Sequence, residues 1–386
     1  MLFIIPRTSP FFHLIFSACA PSFFLERPNL FTAALHALIC ALLINIRIPG
    51  VILPALTIGI LTLELAAPNR RRFLPRPGRT LLTMAIFILL CAGLTIVFFP
   101  TSWSNPIQRF YDAYVAMTHR SWTCCYNLYL GQQVVTDAIP WHYVPVWMGV
   151  STPIYYVGLF LIGLAGGIGA FFKRPWLNLT VEKRSGLIFL GAFLLPLIAI
   201  IIGRSVIYNG WRHLYFIYAP FLVIALDGFV ALCRVLKTFL QPRLASGLVG
   251  LVTLISIATT AGFMVQNHPF EFVYFNFLAG RDMQAVKQKF ELDYWGLSYI
   301  DGLRNILKND PRPVIRVASN QKHMIEYSFM LTQSERDRLS FPADPKDADY
   351  FMTDYYLHPQ DYDYPTEFYS IQVGNAKILS VFQLSR

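Results

Sequence analysis

The ten residues RSVIYNGWRH, at positions 204–213, separate two apolar runs at 186–203 and 214–232. A helix needs about 20 apolar residues to cross the hydrocarbon core of a bilayer, and both runs are close to that length. Charged groups at the end of a membrane helix are costly unless each one finds a partner. Long apolar runs joined by a short polar segment therefore predict a helical membrane protein, with residues 204–213 as a candidate site at one membrane surface.

Two conformations of this polar segment are open. If it is helical, Arg204, Tyr208 and Arg212 recur at intervals of four residues and share one face. Two guanidiniums on one face, with a phenol between them, suit a phosphate or diphosphate. The Asn-Gly dipeptide that follows Tyr208 is a turn signal, so a short loop at the mouth of a helix is an equal alternative.

A structural role competes with phosphate binding at the same residues. Tyr208, Trp211 and Tyr215 would then form an aromatic belt at the membrane interface, and the arginines would extend to lipid headgroups. Residue types alone favour the belt, because both aromatic and basic residues are common where membrane helices end.

The composition excludes an ordinary soluble globular protein. The 386 residues are 55% hydrophobic and 14% charged, and the mean hydropathy is +0.47. Apolar runs of bilayer length predict about 7–8 transmembrane helices. The six cysteines show neither CxxC nor Cys/His ligand spacing, so no metal site and no disulfide framework is predicted. The predicted spans are 9–25, 30–45, 49–66, 81–99, 146–171, 186–203, 214–232 and 245–265.

The distribution of charge predicts the topology. Lys, Arg, Asp and Glu give a net charge of +13 before residue 268 and −3 from there on, which argues against a nucleic-acid-binding surface. Loops near 27, 70–79, 173–184 and 234–243 carry 13 of the 19 basic residues in the first part. The positive-inside rule places these loops in the cytoplasm. The alternating loops, including 204–213, and the whole C-terminal part are then extracytoplasmic.

The chain divides into three regions. Residues 1–29 are an uncertain N-terminal segment, interpreted as a short first helix rather than a signal peptide because prolines interrupt its apolar stretch. Residues 30–266 form the membrane region, with an aromatic-rich outer loop at 100–145. Within that loop, 108–117 is predicted to form an amphipathic helix that lies in the membrane interface. Residues 267–386 have the composition of a soluble domain.

That C-terminal region predicts a small α/β domain. Helical periodicity extends over 298–308 and 320–331. A hairpin is predicted at Gly374 and Asn375, because this pair separates two strand-like runs. The predicted strands are 314–318, 350–353, 368–373 and 377–384. The fold class is therefore a polytopic α-helical membrane protein with a small extracytoplasmic α/β domain.

Five segments resemble bacterial membrane glycosyltransferases of the GT-C superfamily, similar to dolichyl-phosphate-mannose–protein mannosyltransferases and lipid A aminoarabinose transferases. The resemblance runs from about residue 30 to the C-terminus, and the order of its short motifs adds to their individual specificity. The motifs are NIRIPG (45–50), PWHYVP (140–145), YNGWRHLYFIY (208–218), HPFEFVYFN (268–276) and DYWGLS (293–298).

The resemblance implies transfer of a sugar from a polyprenyl-phosphate carrier to a lipid, glycan or protein acceptor on the outer face of a bacterial plasma membrane. It implies membrane lipids as further partners, no nucleic acid, and a divalent cation as the one cofactor to consider. A basic cluster would stabilise the phosphate leaving group, where charge develops as the glycosidic bond breaks. On the matching motifs, the substrate-binding residues would be Arg204, Tyr208, Asn209, Arg212, His213, His142 and Tyr143.

The catalytic carboxylate is the point at which this sequence departs from the family pattern. The family carries it in a large outer loop after the first helix, usually as an Asp with an acidic neighbour. Before residue 268, only Asp112 and Asp137 fall on the predicted outer side, and neither has such a neighbour. Asp112 is the candidate general base. We therefore expect that the N-terminal catalytic part is missing, and the alternative function is a truncated or non-catalytic protein that binds the lipid carrier.

Overall fold

The computed structural model describes residues 24–25, 28–66, 77–118, 126–173 and 181–384. Several predictions lie outside these residues: most of the first span at 9–25, the arginine-rich part of the loop 70–79, and much of the loop 173–184. The chain forms two compact units. The first unit is Met1–Ser121, Tyr155–Val206 and Trp211–Gly250, and the second is Trp122–Ile154, Ile207–Gly210 and Leu251–Arg386.

The first unit consists of helices. Five described helices are long and apolar enough to cross a membrane, and two shorter apolar helices accompany them. Several apolar side chains on these helices are exposed, as expected for surfaces that face lipid. The described helices are α1 (Leu30–Ile46), α2 (Ile52–Ala66), α3 (Pro77–Val97), α4 (Pro106–Thr118), α6 (Ile154–Lys173), α7 (Val181–Gly203), α8 (Tyr218–Phe239) and α9 (Pro242–Gln266), of which α9 continues into the second unit.

Close helix contacts hold this unit together. A Cβ at Gly163 of α6 would overlap the carbonyl oxygen of Ile224 in α8, and a Cβ at Gly228 would overlap the carbonyl oxygen of Leu159. Glycine therefore allows the two backbones to touch, which is typical of small residues between membrane helices.

The predicted span 146–171 is wrong as a single helix. The structure breaks it into α5 (Tyr143–Ser151) and α6, with Thr152 in extended conformation between them. Pro153 is the physical reason, because proline donates no hydrogen bond and disfavours the helical conformation at the residue before it. The break leaves α5 in the second unit and nearly all of α6 in the first.

The C-terminal part of the second unit is an α/β domain. Its strands are β3 (Ile315–Ser319), β4 (Leu339–Ser340), β5 (Tyr350–Thr353), β6 (Glu367–Val373) and β7 (Ala376–Gln383). They form a mixed sheet with the strand order β4-β3-β5-β7-β6, in which β3 is parallel to β4 and β5, and β7 is antiparallel to β5 and β6. The helix α11 (Ser298–Asn309) contributes Leu303 and Ile306 to one apolar core with Val317 and Leu379 of the sheet.

The structure confirms the predicted strands to within about two residues and the hairpin at Gly374, whose φ is +60°. The helix predicted over 320–331 is shorter, because only His323–Ser328 is helical (α12). Two further short helices, α10 (Met283–Lys287) and α13 (Gln333–Arg336), were not predicted.

The segment 100–145 also contains a hairpin that the sequence did not predict. Strands β1 (Tyr126–Tyr129) and β2 (Gln132–Val135) pair antiparallel around Leu130 and Gly131, which both have positive φ. Two central residues with positive φ fit a tight two-residue hairpin turn.

Candidate functional site

The polar segment 204–213 is a loop. The helix α7 ends at Gly203, residues 205–208 have no regular structure, and a 3₁₀ helix begins at Arg212 (Arg212–Ile217). Arg204 itself has a φ of +45°, so the helix cannot continue through it. The prediction that Arg204, Tyr208 and Arg212 share one helical face is therefore wrong. The alternative prediction, a short loop at the mouth of a helix, is correct.

The middle of this loop belongs to the second unit, where one asparagine secures it. Asn127 of β1 accepts a hydrogen bond from the backbone N–H of Asn209 at 2.9 Å and donates one to the carbonyl of Ile207 at 3.0 Å. Asn127 is buried, with 1% of its surface exposed, so both bonds form away from bulk water. One side chain thus satisfies a donor and an acceptor of the loop backbone, which stabilises a single loop conformation.

The turn within the loop has two further attachments. Asn209 and Gly210 have φ values of +55° and +72°. The side-chain amide of Asn209 donates to the carbonyl of Tyr294 at 3.2 Å, and the N–H of Gly210 donates to the hydroxyl of Tyr143 at 3.2 Å. Asn209 and Tyr143 therefore serve to hold the turn, while Tyr208, which precedes it, is half-buried.

His142 contacts Tyr129 through its ring. The hydroxyl of Tyr129 lies 2.6 Å from Nδ1 of His142 and 3.4 Å from the His142 carbonyl oxygen. Burial raises the pKa of Tyr129 to about 12, so the phenol keeps its proton at neutral pH. This contact orients the imidazole ring of a half-buried side chain.

The remaining predicted ligands lie in the first unit, near the ends of its helices. Arg47, which caps the C-terminus of α1, donates from Nη1 to the carbonyl of His213 at 2.9 Å. Burial, together with the nearby positive charges of Arg212 and Arg47, lowers the pKa of His213 to about 4. Arg204 is exposed at the end of α7. We call Arg47, Arg204 and Arg212 the arginine rim. Arg47 was not among the predicted site residues, although the motif NIRIPG contains it.

Asp112, the predicted general base, lies on α4 in the first unit. Its side chain is exposed, and its Oδ1 accepts a hydrogen bond from Gln108 at 2.8 Å, one helical turn earlier. Asn45 at the end of α1 donates to the carbonyl of Thr95 near the end of α3, so these two helices end together. The chain reaches α4 a few residues after α3, which places Asp112 at the rim end of the first unit.

Two other motif residues of the second unit prove to be structural attachments. The side-chain amide of Asn276 donates to the carbonyls of Gly149 and Thr152 at 2.6 and 2.7 Å, which secures the break after α5. Asp293 is buried and accepts from the backbone N–H groups of Leu297 and Ser298, at the start of α11. Sequence reasoning assigned no single role to these side chains, because their partners are distant in the chain or are backbone groups.

Asn127, which secures the loop, was missed altogether. It lies in an aromatic-rich stretch without a recognisable motif, and the backbone groups that it binds are about 80 residues away in the chain. In the described part of the chain, no group of three or more His, Cys, Asp or Glu side chains is arranged to hold a metal ion.

Comparisons with known proteins add no relative. No family model matches the chain, no curated protein matches it, and no solved structure matches it.

Proposed function

We propose that the chain is a membrane protein of the lipid-linked-sugar glycosyltransferase type, which binds the phosphate of a polyprenyl-phosphate sugar at the arginine rim. The bond between Arg47 and the carbonyl of His213 is the observation that carries this proposal. This bond brings the guanidinium of Arg47, at the end of α1, to the segment that contains Arg212. Two cations from separate parts of the chain therefore lie at one end of the first unit.

The charge of the rim suits a phosphate. A guanidinium binds phosphate oxygens with two parallel hydrogen bonds and keeps its charge at every physiological pH. Arg204 is exposed and makes no hydrogen bond or ion pair with any residue that the structure describes. Its donors are therefore available to a ligand at the end of α7, and the guanidinium of Arg212 would add a second positive charge.

Asp112 is the carboxylate that we assign as the general base. In the first unit, the other acidic side chains that the structure describes, Glu64 and Asp227, lie within apolar helices rather than at the rim end. An exposed carboxylate can accept the proton of an acceptor hydroxyl, which is what sugar transfer requires. The proposed topology follows the positive-inside rule, with the rim and the C-terminal domain outside the plasma membrane of a bacterium.

The test is binding of a polyprenyl-phosphate sugar to the full chain in lipid nanodiscs. We expect Arg204→Ala and Arg212→Ala each to weaken binding about tenfold or more, since a charge-assisted hydrogen bond contributes about 1.5–3 kcal/mol. Arg47→Ala should weaken it as well, through loss of the contact with the segment that contains Arg212.

A matched control is Arg243→Ala, which removes the same exposed charge from the start of α9, at the opposite end of α8 from Arg212. Its binding should remain that of the wild type. If Arg204→Ala and Arg212→Ala both bind as the wild type does, or if the control loses as much as they do, the phosphate site is not at the rim.

A second candidate is a non-catalytic protein that binds the lipid carrier. The observation that favours it is the setting of Asp112, which has Gln108 rather than a second carboxylate as its described partner. The two candidates separate in one assay of sugar transfer by the purified chain with a lipid-linked donor. Transfer that Asp112→Asn abolishes supports the enzyme, whereas binding without transfer supports the carrier-binding protein.

A further inference from the structure

Two large apolar side chains are exposed next to each other in the second unit. Phe277 is 69% exposed and Leu278 is 54% exposed. They lie in a turn, a kind of segment that is usually built from Gly, Pro, Asn, Asp and Ser. A phenylalanine and a leucine at the surface of such a turn therefore indicate contact with an apolar environment outside the chain.

The backbone of this turn is fixed on both sides of the exposed pair. Oδ1 of Asn276 accepts the N–H of Leu278 at 2.9 Å, and the carbonyl of Asn276 accepts the N–H of Ala279 at 3.1 Å. Asn276 and Ala279 are both buried. The turn is therefore anchored in the second unit through the residues at its two ends, while Phe277 and Leu278 remain on its outer side.

Asn276 also attaches the turn beside the beginning of a membrane helix. Its N–H donates to the carbonyl of Val150 at 2.8 Å, and its amide binds the carbonyls of Gly149 and Thr152. These carbonyls lie at the break between α5 and α6, and α6 begins at Ile154 with an apolar stretch. The exposed pair thus lies next to the point where an apolar helix starts.

The end of α9 gives a second, independent location for the turn. The ring of Phe263 packs edge-on against that of Tyr274, with 5.1 Å between the ring centroids. On the same turn of α9, Val265 is 81% exposed, as expected for a side chain that faces lipid. Phe277 follows Tyr274 by three positions, and an extended chain of that length spans at most about 11 Å. The turn is therefore at the level where α9 ends.

Basic side chains beside the turn suit phospholipid headgroups. The side chain of Arg281 is 92% exposed, and its Nε is 3.8 Å from Oδ2 of Asp282, which offsets part of its charge. Lys289 is also exposed, and its Nζ donates to the carbonyl of Ala279 at 3.3 Å. Long basic side chains near a bilayer extend to the headgroups and are attracted by their phosphates.

We propose that the turn at residues 276–281 docks on the surface of the lipid bilayer, with Phe277 and Leu278 inserted just below the headgroups and Arg281 at the level of the phosphates. Burial of the two apolar side chains favours this position, and the basic side chains add attraction to the headgroups. The turn is then a further attachment of the second unit to the membrane, besides the beginning of α6 and the end of α9.

The size of the exposed pair favours the bilayer over a protein partner. A stable protein interface buries about 800 Å² on each partner, which is far more than two side chains supply. Insertion into lipid needs no complementary surface, because acyl chains rearrange around an apolar side chain. The inference concerns contact with lipid, and it does not depend on the phosphate site proposed for the first unit.

The experiment uses the full chain in lipid nanodiscs, with the six native cysteines replaced and a nitroxide label at Phe277→Cys, Leu278→Cys or Arg281→Cys. Power-saturation EPR compares collisions of the label with oxygen, which dissolves in hydrocarbon, and with a nickel chelate, which remains in water. We expect oxygen collisions to exceed nickel collisions several-fold at positions 277 and 278, because interfacial segments insert apolar groups roughly 5–10 Å deep. The excess should be smaller at position 281.

The matched control is a label at Val314→Cys, since Val314 is 58% exposed, about as much as Leu278. It precedes β3, which is parallel to β5. The residues that follow β5, Tyr356 and Leu357, contact the hairpin of β1 and β2, so Val314 lies at the opposite end of the sheet. Nickel collisions should exceed oxygen collisions at this position.

Thermal unfolding verifies that each labelled variant folds. The proposal is overturned if nickel collisions exceed oxygen collisions at both positions 277 and 278, or if these positions do not differ from position 314. Protection of both positions from the two reagents would also overturn it, because this result would show that the turn packs against protein.

Discussion

The side-chain oxygen of Asn127 accepts the backbone N–H of Asn209 at 2.9 Å, and this contact joins a hairpin strand to a loop 82 positions later in the chain. The amide nitrogen of the same side chain donates to the carbonyl of Ile207. The conformation of the loop that contains Tyr208 therefore depends on a residue for which the sequence offers no signal.

Asn127→Ala should destabilise the second unit by about 1–3 kcal/mol, because it leaves a buried N–H and a buried carbonyl without partners. Urea unfolding of the full chain in nanodiscs, followed by tryptophan fluorescence, measures the change. Asn309→Ala is the control, since Asn309 is exposed and bonds only within its own helix turn among the described residues. Equal stability of the two variants would show that Asn127 does not secure the loop.

The contact between α6 and α8 should tolerate no side chain at Gly163. A methyl group there would overlap the carbonyl of Ile224, so we expect Gly163→Ala to separate the helices and to cost at least about 1–3 kcal/mol. Gly167→Ala is the matched control on the same helix, because no described atom lies within 4 Å of its added Cβ. The measurement is the midpoint temperature of thermal unfolding for the two purified variants. If the midpoint of Gly167→Ala is lowered as much as that of Gly163→Ala, the expectation is contradicted.

The C-terminal domain should lose stability as the pH rises towards neutral. Burial, followed by the charge of Asp293, raises the pKa of Asp354 to about 7. The folded protein then retains a proton that the unfolded chain releases above about pH 4. The stabilising contribution of this bound proton to the free energy of unfolding is complete below about pH 4, and it is lost as the pH rises through about 7. The slope in that window is at most about 1.4 kcal/mol per pH unit for one proton.

Unfolding of wild type and Asp354→Asn at about pH 5 and about pH 8 measures this effect, with the variant showing the smaller pH dependence. Asp310 supplies a control of opposite sign. Its hydrogen bonds with Arg312 lower the pKa of this carboxyl to about 2, so its contribution is present above about pH 4 and is lost as the pH falls through about 2. Parallel pH profiles for wild type and Asp354→Asn would show that Asp354 is not protonated in the folded state.

The helix α4 should lie in the membrane interface with Ile107 and Tyr111 towards the lipid. Ile107 is 86% exposed and Tyr111 is 61% exposed, and their spacing of four residues places them on one face, away from Asp112. A fluorophore at Ile107→Cys, in a chain whose six native cysteines are replaced, should be quenched by spin-labelled lipids. The same label at Asp112→Cys should be quenched much less. Equal quenching at the two positions would place the helix away from the bilayer surface.

Local chemistry is enough to predict several elements. The long apolar runs predict the membrane helices because burial of a continuous apolar surface needs no information from distant residues. The hairpin at Gly374 follows equally from local rules, since a Gly-Asn pair between two strand-like runs favours a tight turn. The same reasoning fails at Pro153, where a local break divides what composition alone describes as one apolar run.

The amino-acid sequence by itself determined the membrane class, the small α/β domain and the positions of the arginines that we propose as a phosphate site. Only the tertiary structure decided how those residues are used. The i, i+4 spacing of Arg204 and Tyr208 does not place them on one helical face, because α7 ends at Gly203. The partners of Asn127 and Asn276 are backbone groups far away in the chain. The physical reason is that apolar burial and turn propensity are local properties, whereas the satisfaction of a buried polar atom depends on whichever segments the fold brings beside it.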